Sequence, residues 1–234
     1  MLKSLKWIGI FMLLIMLTVI VIDGSLGDQS ANTTYLTIVQ TELERDGAEL
    51  RQVSNNRVLL PVTDDDLQTE DTLLNKDFTV TDKKNNTVDV SLSVNVELYS
   101  AENVLDHIVF VTNTGNTEGY VRTWFAFQMG DLTEEEFNAS VLINKNTTQW
   151  IWKEFEYGVV IDGQRYAVVC AEHNGKVVAG GTTTPNLLQI MLRSGVSNEI
   201  VSRLDDNNGT YKVQVCSQVV SDRGAWSQVG NPWK

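Results

Sequence analysis

The chain has few residues of the kinds that usually carry catalysis or covalent cross-links. Its 234 residues include two histidines, two cysteines and three prolines. His107 and His173 do not supply the ligand set typical of catalytic zinc, and no His-Glu-x-x-His sequence is present. No serine or cysteine triad and no glycine-rich phosphate loop can be assembled from the remaining residues. We therefore predict no catalytic residues, no metal ion and no cofactor.

Basic residues are also scarce. Lysine and arginine number 18 against 30 aspartates and glutamates, which gives a formal net charge of −12 at pH 7. Binding to nucleic acid requires lysine and arginine to neutralise phosphates, so we predict no nucleic-acid partner. An acidic surface is typical of a protein that must stay soluble outside the cell.

One long apolar run exists, and it lies near the N-terminus. Lys3 and Lys6 precede the uncharged segment Trp7–Ile22, and the small residues of Ser25-Leu26-Gly27 follow it. This layout is typical of a secretory signal peptide that is cleaved before Asp28.

An uncleaved anchor is the alternative. As a helix the apolar run spans about 24 Å, which is short of the ~30 Å hydrocarbon core. Either interpretation predicts that residues 1–27 form a signal peptide or membrane-anchor helix and that residues 28–234 form a single exported domain. We expect a secreted or cell-surface protein that meets the membrane only through its N-terminal segment.

The stretch Ile108–Gln128 gives the strongest structural signal. Two strand-like segments, Ile108–Thr112 and Tyr120–Gln128, flank the polar loop Asn113–Gly119, whose glycines can adopt a positive φ at little cost. The second segment alternates with a period of two, which is typical of a sheet beside a core. One face carries Val121, Thr123, Phe125 and Phe127, and the other carries Tyr120, Arg122, Trp124 and Ala126.

Similar patterns recur along the chain. Strands are predicted over Thr34–Thr41, Arg57–Val62, Phe78–Thr81, Val88–Leu98, Ile108–Thr112, Tyr120–Gln128, Trp150–Trp152, Val159–Ile161, Arg165–Ala171, Leu187–Arg193 and Tyr211–Val220. Asp162-Gly163 and Asn174-Gly175 predict tight hairpins. The acidic stretch Asn55–Lys76 is predicted to be peripheral or less ordered.

Two short helices are also expected. A capping box predicts one helix near Glu134–Asn138, and Ser197 is placed to cap a second over Asn198–Leu204. Many short strands with polar turns favour an all-β fold, which we expect to be a jelly-roll-like two-sheet β-sandwich.

Several segments resemble one family. The sequence VTNTGNTEGYVRTWFAF is similar to the Asn-x-Gly…Tyr-Val-Arg core of TasA/camelysin-like exported proteins, which are SipW-type signal peptidase substrates. The segments Gly180–Leu192 and Tyr211–Val220 and the sequence Asn231-Pro232-Trp233 resemble the same group. The motif positions carried by this resemblance are Asn113, Gly115, Tyr120, Val121, Arg122, Pro232 and Trp233.

The resemblance implies a jelly-roll protein of the cell surface or biofilm matrix, released by a signal peptidase during export. Some relatives build fibres, so it also implies self-association or contact with other matrix proteins. For such assembly we predict that the segment Tyr35, Leu36, Thr37, Ile38 and Val39 acts as a donated strand. The alternative is that this strand completes its own sheet.

Two other function classes remain open. A surface module that binds glycan or protein is one, because Trp124, Trp150 and Trp152 offer aromatic faces; core packing is the competing role for these rings. The other follows from the resemblance, since camelysin-like members are described as metalloendopeptidases. The scarcity of histidine argues against it.

The two cysteines also admit two interpretations. Cys170 and Cys216 lie in valine-rich strands. They either form one disulfide in an oxidising exterior or remain two separately buried thiols.

Overall fold

The computed structural model describes residues 36–53, 57–63, 67–101, 103–205 and 209–234. In these ranges the chain forms thirteen strands and two α-helices. The strands are β1 (Ile38–Asp46), β2 (Glu49–Gln52), β3 (Thr69–Thr81), β4 (Thr87–Tyr99), β5 (Leu105–Asp106), β6 (Ile108–Asn113), β7 (Gly119–Gln128), β8 (Val141–Lys145), β9 (Trp150–Trp152), β10 (Glu156–Ile161), β11 (Gln164–Val177), β12 (Leu187–Leu192) and β13 (Val213–Val220). The helices are α1 (Glu134–Ser140) and α2 (Asn198–Leu204), and a 3-10 helix covers Arg223–Ser227.

The strands pair in antiparallel sheets. A five-stranded sheet has the order β10-β11-β7-β13, and β9 pairs with the same long strand β11. Two three-stranded sheets have the orders β2-β1-β6 and β5-β12-β8, and β3 and β4 form a separate long hairpin. The fold is therefore all-β with two short helices, as the sequence predicts.

Irregular main-chain bonds join the two three-stranded sheets. On the edge of β6 away from β1, the amide of Thr183 donates to the Val111 carbonyl at 2.9 Å. The amide of Asn186 donates to the Val109 carbonyl at 2.8 Å. The segment before β12 thus extends the sheet of β6, and together these strands form a layer opposite the five-stranded sheet.

The largest hydrophobic core fills the space between these two layers. From one side it receives residues of β1, β6, β8 and β12, and from the other residues of β7, β9, β11 and β13. Phe125 and Phe127 are fully buried there, and Trp124 and Ala126 face the opposite side of the same strand. The predicted two faces of β7 are confirmed.

Each layer is also covered on its outer face. The β3–β4 hairpin lays Leu74, Leu92 and Leu98 over Ile108 and Phe110 of β6, which forms a second core. The five-stranded sheet buries a third, smaller cluster on its outer face, against which Trp233 packs. Four layers of chain therefore lie over one another.

Local sequence accounts for the helices. Thr133 caps α1, and the Thr133 amide and the Glu136 carboxylate complete the predicted capping box at 2.8 Å. Ser197 caps α2 through the Ile200 amide. Both helix predictions are confirmed.

Several predictions are wrong. The segment Arg57–Val62 is not a strand, and it makes a single isolated bridge through Pro61 to Leu192. Part of the stretch predicted to be peripheral is Thr69–Lys76, the first half of β3. These residues pair with β4 at eight positions and so are ordered, but most of their side chains are exposed on this outer hairpin, which agrees with the predicted peripheral place. The sequence also missed β2, β5 and β8, which are short and weakly patterned.

The two predicted hairpins have different outcomes. Asp162 and Gly163 both have positive φ and turn β10 into β11, as predicted. Asn174-Gly175 instead lies inside β11, at an irregularity between Glu172 and Lys176 where the strand continues. Among the described residues, no helix is long and apolar enough to cross a membrane, and the run Trp7–Ile22 lies outside them.

Candidate functional site

The predicted donor segment Tyr35, Leu36, Thr37, Ile38 and Val39 leads into β1, apart from Tyr35, which lies outside the described residues. Ile38 pairs with Asn113 of β6, and the amide of Gly115 donates to the Thr37 carbonyl at 3.0 Å. Ile38 is buried in the largest core, and Leu36 packs against that core. In this structure the segment completes the sheet of its own domain.

The second edge of β1 pairs with β2 over Leu43–Asp46; nearer its start β1 lies beside β13, and within the described ranges these two strands have no main-chain pairing. The side chain of Gln40 spans this gap, which we call the seam. Its Nε2 donates to the main-chain carbonyl of Val215 at 3.3 Å, and its Oε1 accepts from Ser217 Oγ at 3.1 Å. The Ser217 hydroxyl lies 2.9 Å from that of Thr123 in β7. The Gln40 side chain therefore links β1 and β13 in the way that main-chain hydrogen bonds link paired strands of a sheet.

The polar contacts continue from the seam along β1. Gln40 Nε2 also donates to Glu42 Oε1 at 2.6 Å, and Glu42 Oε2 lies 2.7 Å from His107 Nε2. His107 is 3% exposed, and its Nδ1 has no hydrogen-bond partner among the residues that the structure describes. A connected path of polar side chains thus runs through the interior from Thr123 to His107.

Charged groups close the same end of β1. The Arg57 guanidinium donates to the Asp106 carbonyl at 2.9 Å and to the Glu44 carboxylate. Burial lowers the pKa of Arg57, and the nearby carboxylates of Glu42 and Asp106 oppose that shift. Arg45 binds the Asp106 carboxylate at 2.8 Å. These ion pairs and the buried side chains of Ile38 and Leu43 together hold β1 in place.

A second polar site lies on the outer face of the five-stranded sheet. The Arg122 guanidinium donates to Gln218 Oε1 at 2.7 Å and to the Gly230 carbonyl at 3.2 Å. It lies 5.2 Å from the ring centroid of Trp124 and 4.3 Å from that of Trp226. Burial lowers the pKa of Arg122. The guanidinium fixes the C-terminal segment to β7 and is shielded between two indoles.

The structure brings some of the residues of the TasA/camelysin-like motif close to one another. Arg122 binds the main chain just before Pro232, and Trp233 packs on the outer-face cluster that includes Trp124. Val121 points to the opposite face, into the largest core. The Tyr120 ring lies 4.8 Å from the Arg223 guanidinium carbon. Arg122, Tyr120 and Trp233 therefore attach the C-terminal segment to the sheet, whereas Val121 packs in the core.

Asn113 and Gly115 lie apart from that site: Asn113 ends β6, and Gly115 lies in the loop between β6 and β7. The Asn113 amide donates to the carbonyls of Thr117 at 2.7 Å and Val177 at 2.9 Å, and its Oδ1 accepts from the Gly115 amide at 2.9 Å. The expected positive φ is absent at Gly115 and Gly119. Space is tight at Gly119, because a Cβ there would lie 2.7 Å from a methyl carbon of Leu36 and 2.8 Å from one of Val219.

The two cysteines are free and buried, so the structure contains the thiols and not the disulfide. Cys170 and Cys216 pair with Trp124 from the two sides of β7. Strands two positions apart in a sheet are separated by about 9–10 Å, beyond the reach of a disulfide. Burial raises the pKa of Cys170 to about 12 and that of Cys216 to about 11.

The two histidines, His107 and His173, are not in contact with each other. His173 Nδ1 lies 2.8 Å from the Gly175 carbonyl oxygen, and its ring packs edge-on against Trp150. His107 is held by Glu42. In the part of the chain that the structure describes, no three histidine, cysteine, aspartate or glutamate side chains are grouped to hold a metal ion.

The tryptophans serve mainly in packing. Trp150 is 2% exposed, and its Nε1 donates to the Thr184 carbonyl at 3.0 Å. Trp152 packs against the same core but stays partly exposed. Core packing is confirmed for Trp150. Of the two tryptophans in β9, Trp152 is the one that reaches the surface.

Sequence reasoning missed Gln40, Glu42 and Ser217. A signal was available, because the period of two places Gln40 and Glu42 on the face of β1 that buries Ile38. Polar residues on a core-facing strand need hydrogen-bond partners, and their presence indicates a polar network inside the sandwich.

Comparison of the chain with protein-family models, with curated proteins and with solved structures finds no match.

Proposed function

We propose that this chain is an exported, noncatalytic structural subunit of a cell surface or biofilm matrix, and that it self-assembles by exchange of β1. The subunit is a jelly-roll-like sandwich whose N-terminal segment directs export. The resemblance of the β6–β7 region to TasA/camelysin-like proteins supports this proposal, as does the all-β fold.

The contact between β1 and β13 at the seam is the observation that best supports strand exchange. β1 is bonded by main chain to β6 along one edge and to β2, over Leu43–Asp46, along the other, and it meets β13 through the Gln40 side chain. It also lies directly after the predicted leader, so the strand is near an end from which it can leave.

Exchange of β1 between copies conserves its contacts. The pairing with β6, the Gln40 bonds and the Glu42–His107 pair would each form again with the strand of another copy. Domain exchange of this kind costs little free energy, because the interactions in the assembled state equal those in the monomer. Open-ended exchange produces a chain of subunits, which is what a fibre requires.

A disulfide lock tests this proposal. Val39 and Thr112 are direct partners in the β1–β6 register, so Val39→Cys with Thr112→Cys would tether β1 to its own sheet. We expect the oxidised protein from residue 28 onward to stay monomeric in electron microscopy and light scattering. Reduction should restore the assembly rate of the wild type.

The matched control is a lock in the β3–β4 hairpin. Leu73 and Asn95 are also direct partners, and neither belongs to β1. Leu73→Cys with Asn95→Cys should assemble in both redox states. Filaments of the oxidised β1–β6 variant at the wild-type rate would exclude strand exchange, and a wild-type chain that stays monomeric at all concentrations would exclude assembly.

A further inference from the structure

Aromatic rings form a continuous path from the largest core to the surface near β8, β9 and β10. Phe125 stacks on Trp152 with ring centroids 5.2 Å apart, and Phe127 lies 6.2 Å from Phe155. Phe155 in turn stacks on Tyr157 at 5.8 Å. Trp152, Phe155 and Tyr157 are each partly exposed. We call these three residues the aromatic patch.

A lysine lies against this patch. Lys145 is the last residue of β8, and its Nζ is 5.3 Å from the ring centroid of Trp152 and 5.4 Å from that of Phe155. Within the described residues no carboxylate lies within 4 Å of this ammonium, although the chain carries a net charge of −12. The neighbouring Lys153, by contrast, is paired with Glu172 at 3.2 Å.

A half-buried ammonium without a carboxylate is unfavourable. Burial lowers the pKa of Lys145, and no acidic group opposes the shift. The ring faces offset part of the lost hydration by cation–π attraction. An anion placed on the open side of the ammonium would supply the missing partner, with a charge-assisted hydrogen bond.

Hydrogen-bonding groups border the patch. The Tyr157 hydroxyl donates to the Asn138 side-chain oxygen at 2.9 Å, and Asn138 is exposed at the surface of α1. Trp152 Nε1 is occupied by the Asn146 carbonyl at 2.9 Å, so this ring is fixed in orientation. Phe125 stacks on the Trp152 ring and Lys145 lies over it, so the patch offers a ligand the partly exposed portions of its three rings. Together with the ammonium and the polar rim, these suit a ring that carries both apolar C–H groups and a negative charge.

We propose that the aromatic patch and Lys145 bind an acidic carbohydrate, with a sugar ring packed against the exposed parts of the patch and its carboxylate bonded to the Lys145 ammonium. This site is distinct from the seam and does not depend on strand exchange. It selects acidic over neutral sugars, because the neutral sugar leaves the ammonium unpaired. A subunit with such a site would attach to an acidic polysaccharide of the matrix around it.

Calorimetric titration of the exported domain with oligosaccharides of galacturonate, mannuronate and N-acetylneuraminate tests the proposal. A neutral galactose oligosaccharide of equal length serves as the reference ligand. We expect saturable binding of at least one acidic oligosaccharide, quenching of tryptophan fluorescence, and affinity for the neutral ligand weaker by about tenfold or more.

Lys145→Met keeps the length and apolar stem of the side chain but removes its charge. We expect it to weaken acidic-sugar binding about tenfold or more, whereas Lys153→Met should leave the affinity within about twofold. Phe155→Leu should weaken binding to acidic and neutral sugars alike, and the thermal midpoint of each variant verifies its folding. The proposal is overturned if none of the acidic oligosaccharides binds, if Lys145→Met binds like the wild type, or if the neutral ligand binds equally well.

Discussion

The side-chain amide of Gln40 donates to the main-chain carbonyl of Val215, and so joins two strands that have no main-chain pairing. The same side chain bonds to Ser217 and Glu42. One residue therefore connects β1 to β13 and to the charged groups at the far end of β1.

Gln40→Ala should lower the free energy of unfolding by about 1–3 kcal/mol, because it leaves partly buried polar groups without partners. Chemical denaturation measures this loss, and hydrogen exchange should show faster exchange in β1 than in β7. Gln68→Ala is the control, since that side chain is exposed and its change should stay within about 0.5 kcal/mol. Equal effects of the two substitutions would contradict the role of Gln40.

Gly130→Ala should be strongly destabilising. Gly130 has a φ of +54°, and a Cβ there would lie 1.8 Å from the carbonyl oxygen of Arg203 in α2. Gly47 has a similar φ of +62° with open space around it, so Gly47→Ala measures the backbone strain alone, about 1–2 kcal/mol. We expect Gly130→Ala to cost at least about 2 kcal/mol more in chemical denaturation, because the helix must move. If the two variants lose similar amounts of unfolding free energy, α2 can move away from residue 130 at little cost.

Glu136 should make stability depend on pH in the acidic range. Hydrogen bonds from Arg203 and then from the Thr133 amide lower the pKa of Glu136 from 4.5 to about 2. The folded state therefore prefers the carboxylate, and its contribution is complete above about pH 4.5 and lost as the pH falls towards 2. Glu136→Gln should flatten the fall of the thermal midpoint in this window, whereas Glu135→Gln, which is exposed on the same helix turn, should not.

The thiols should be inert in the folded protein. Both cysteines are at most 4% exposed, and burial holds their pKa values at about 12 and about 11. We expect no reaction with Ellman's reagent at pH 8 in the native state and two equivalents after denaturation without reductant. Zero equivalents after denaturation would indicate a disulfide, which the sheet geometry excludes.

The strand predictions are accurate where the two faces of a strand have environments that differ from each other. The alternation of β4 and β7 is continuous, because each strand has one face on a core and a different face outward. Prediction failed for Asn174-Gly175, since two turn-forming residues look the same in a hairpin and in an irregularity within a long strand. β11 continues through this irregularity, because it pairs with β9 up to His173 and with β7 again from Lys176.

The sites were less predictable than the strands. Arg122 and the segment near Gly230 are far apart in sequence, and only the fold brings them together. Likewise, nothing local indicates that Gln40 meets Val215, or that the ammonium of Lys145 lies over Trp152. Contacts between strands of different sheets depend on packing, which a pattern of period two does not specify.

The central position of β7 has a kinetic consequence. It is flanked by β11 and β13, which follow much later in the chain, and β6, its neighbour in sequence, belongs to the opposite layer. Such long-range pairing makes folding slow, since distant segments must meet before either is stabilised. The central sheet can therefore close only after β13, the last strand, has been made, and we expect refolding from denaturant to be slow for a domain of this size.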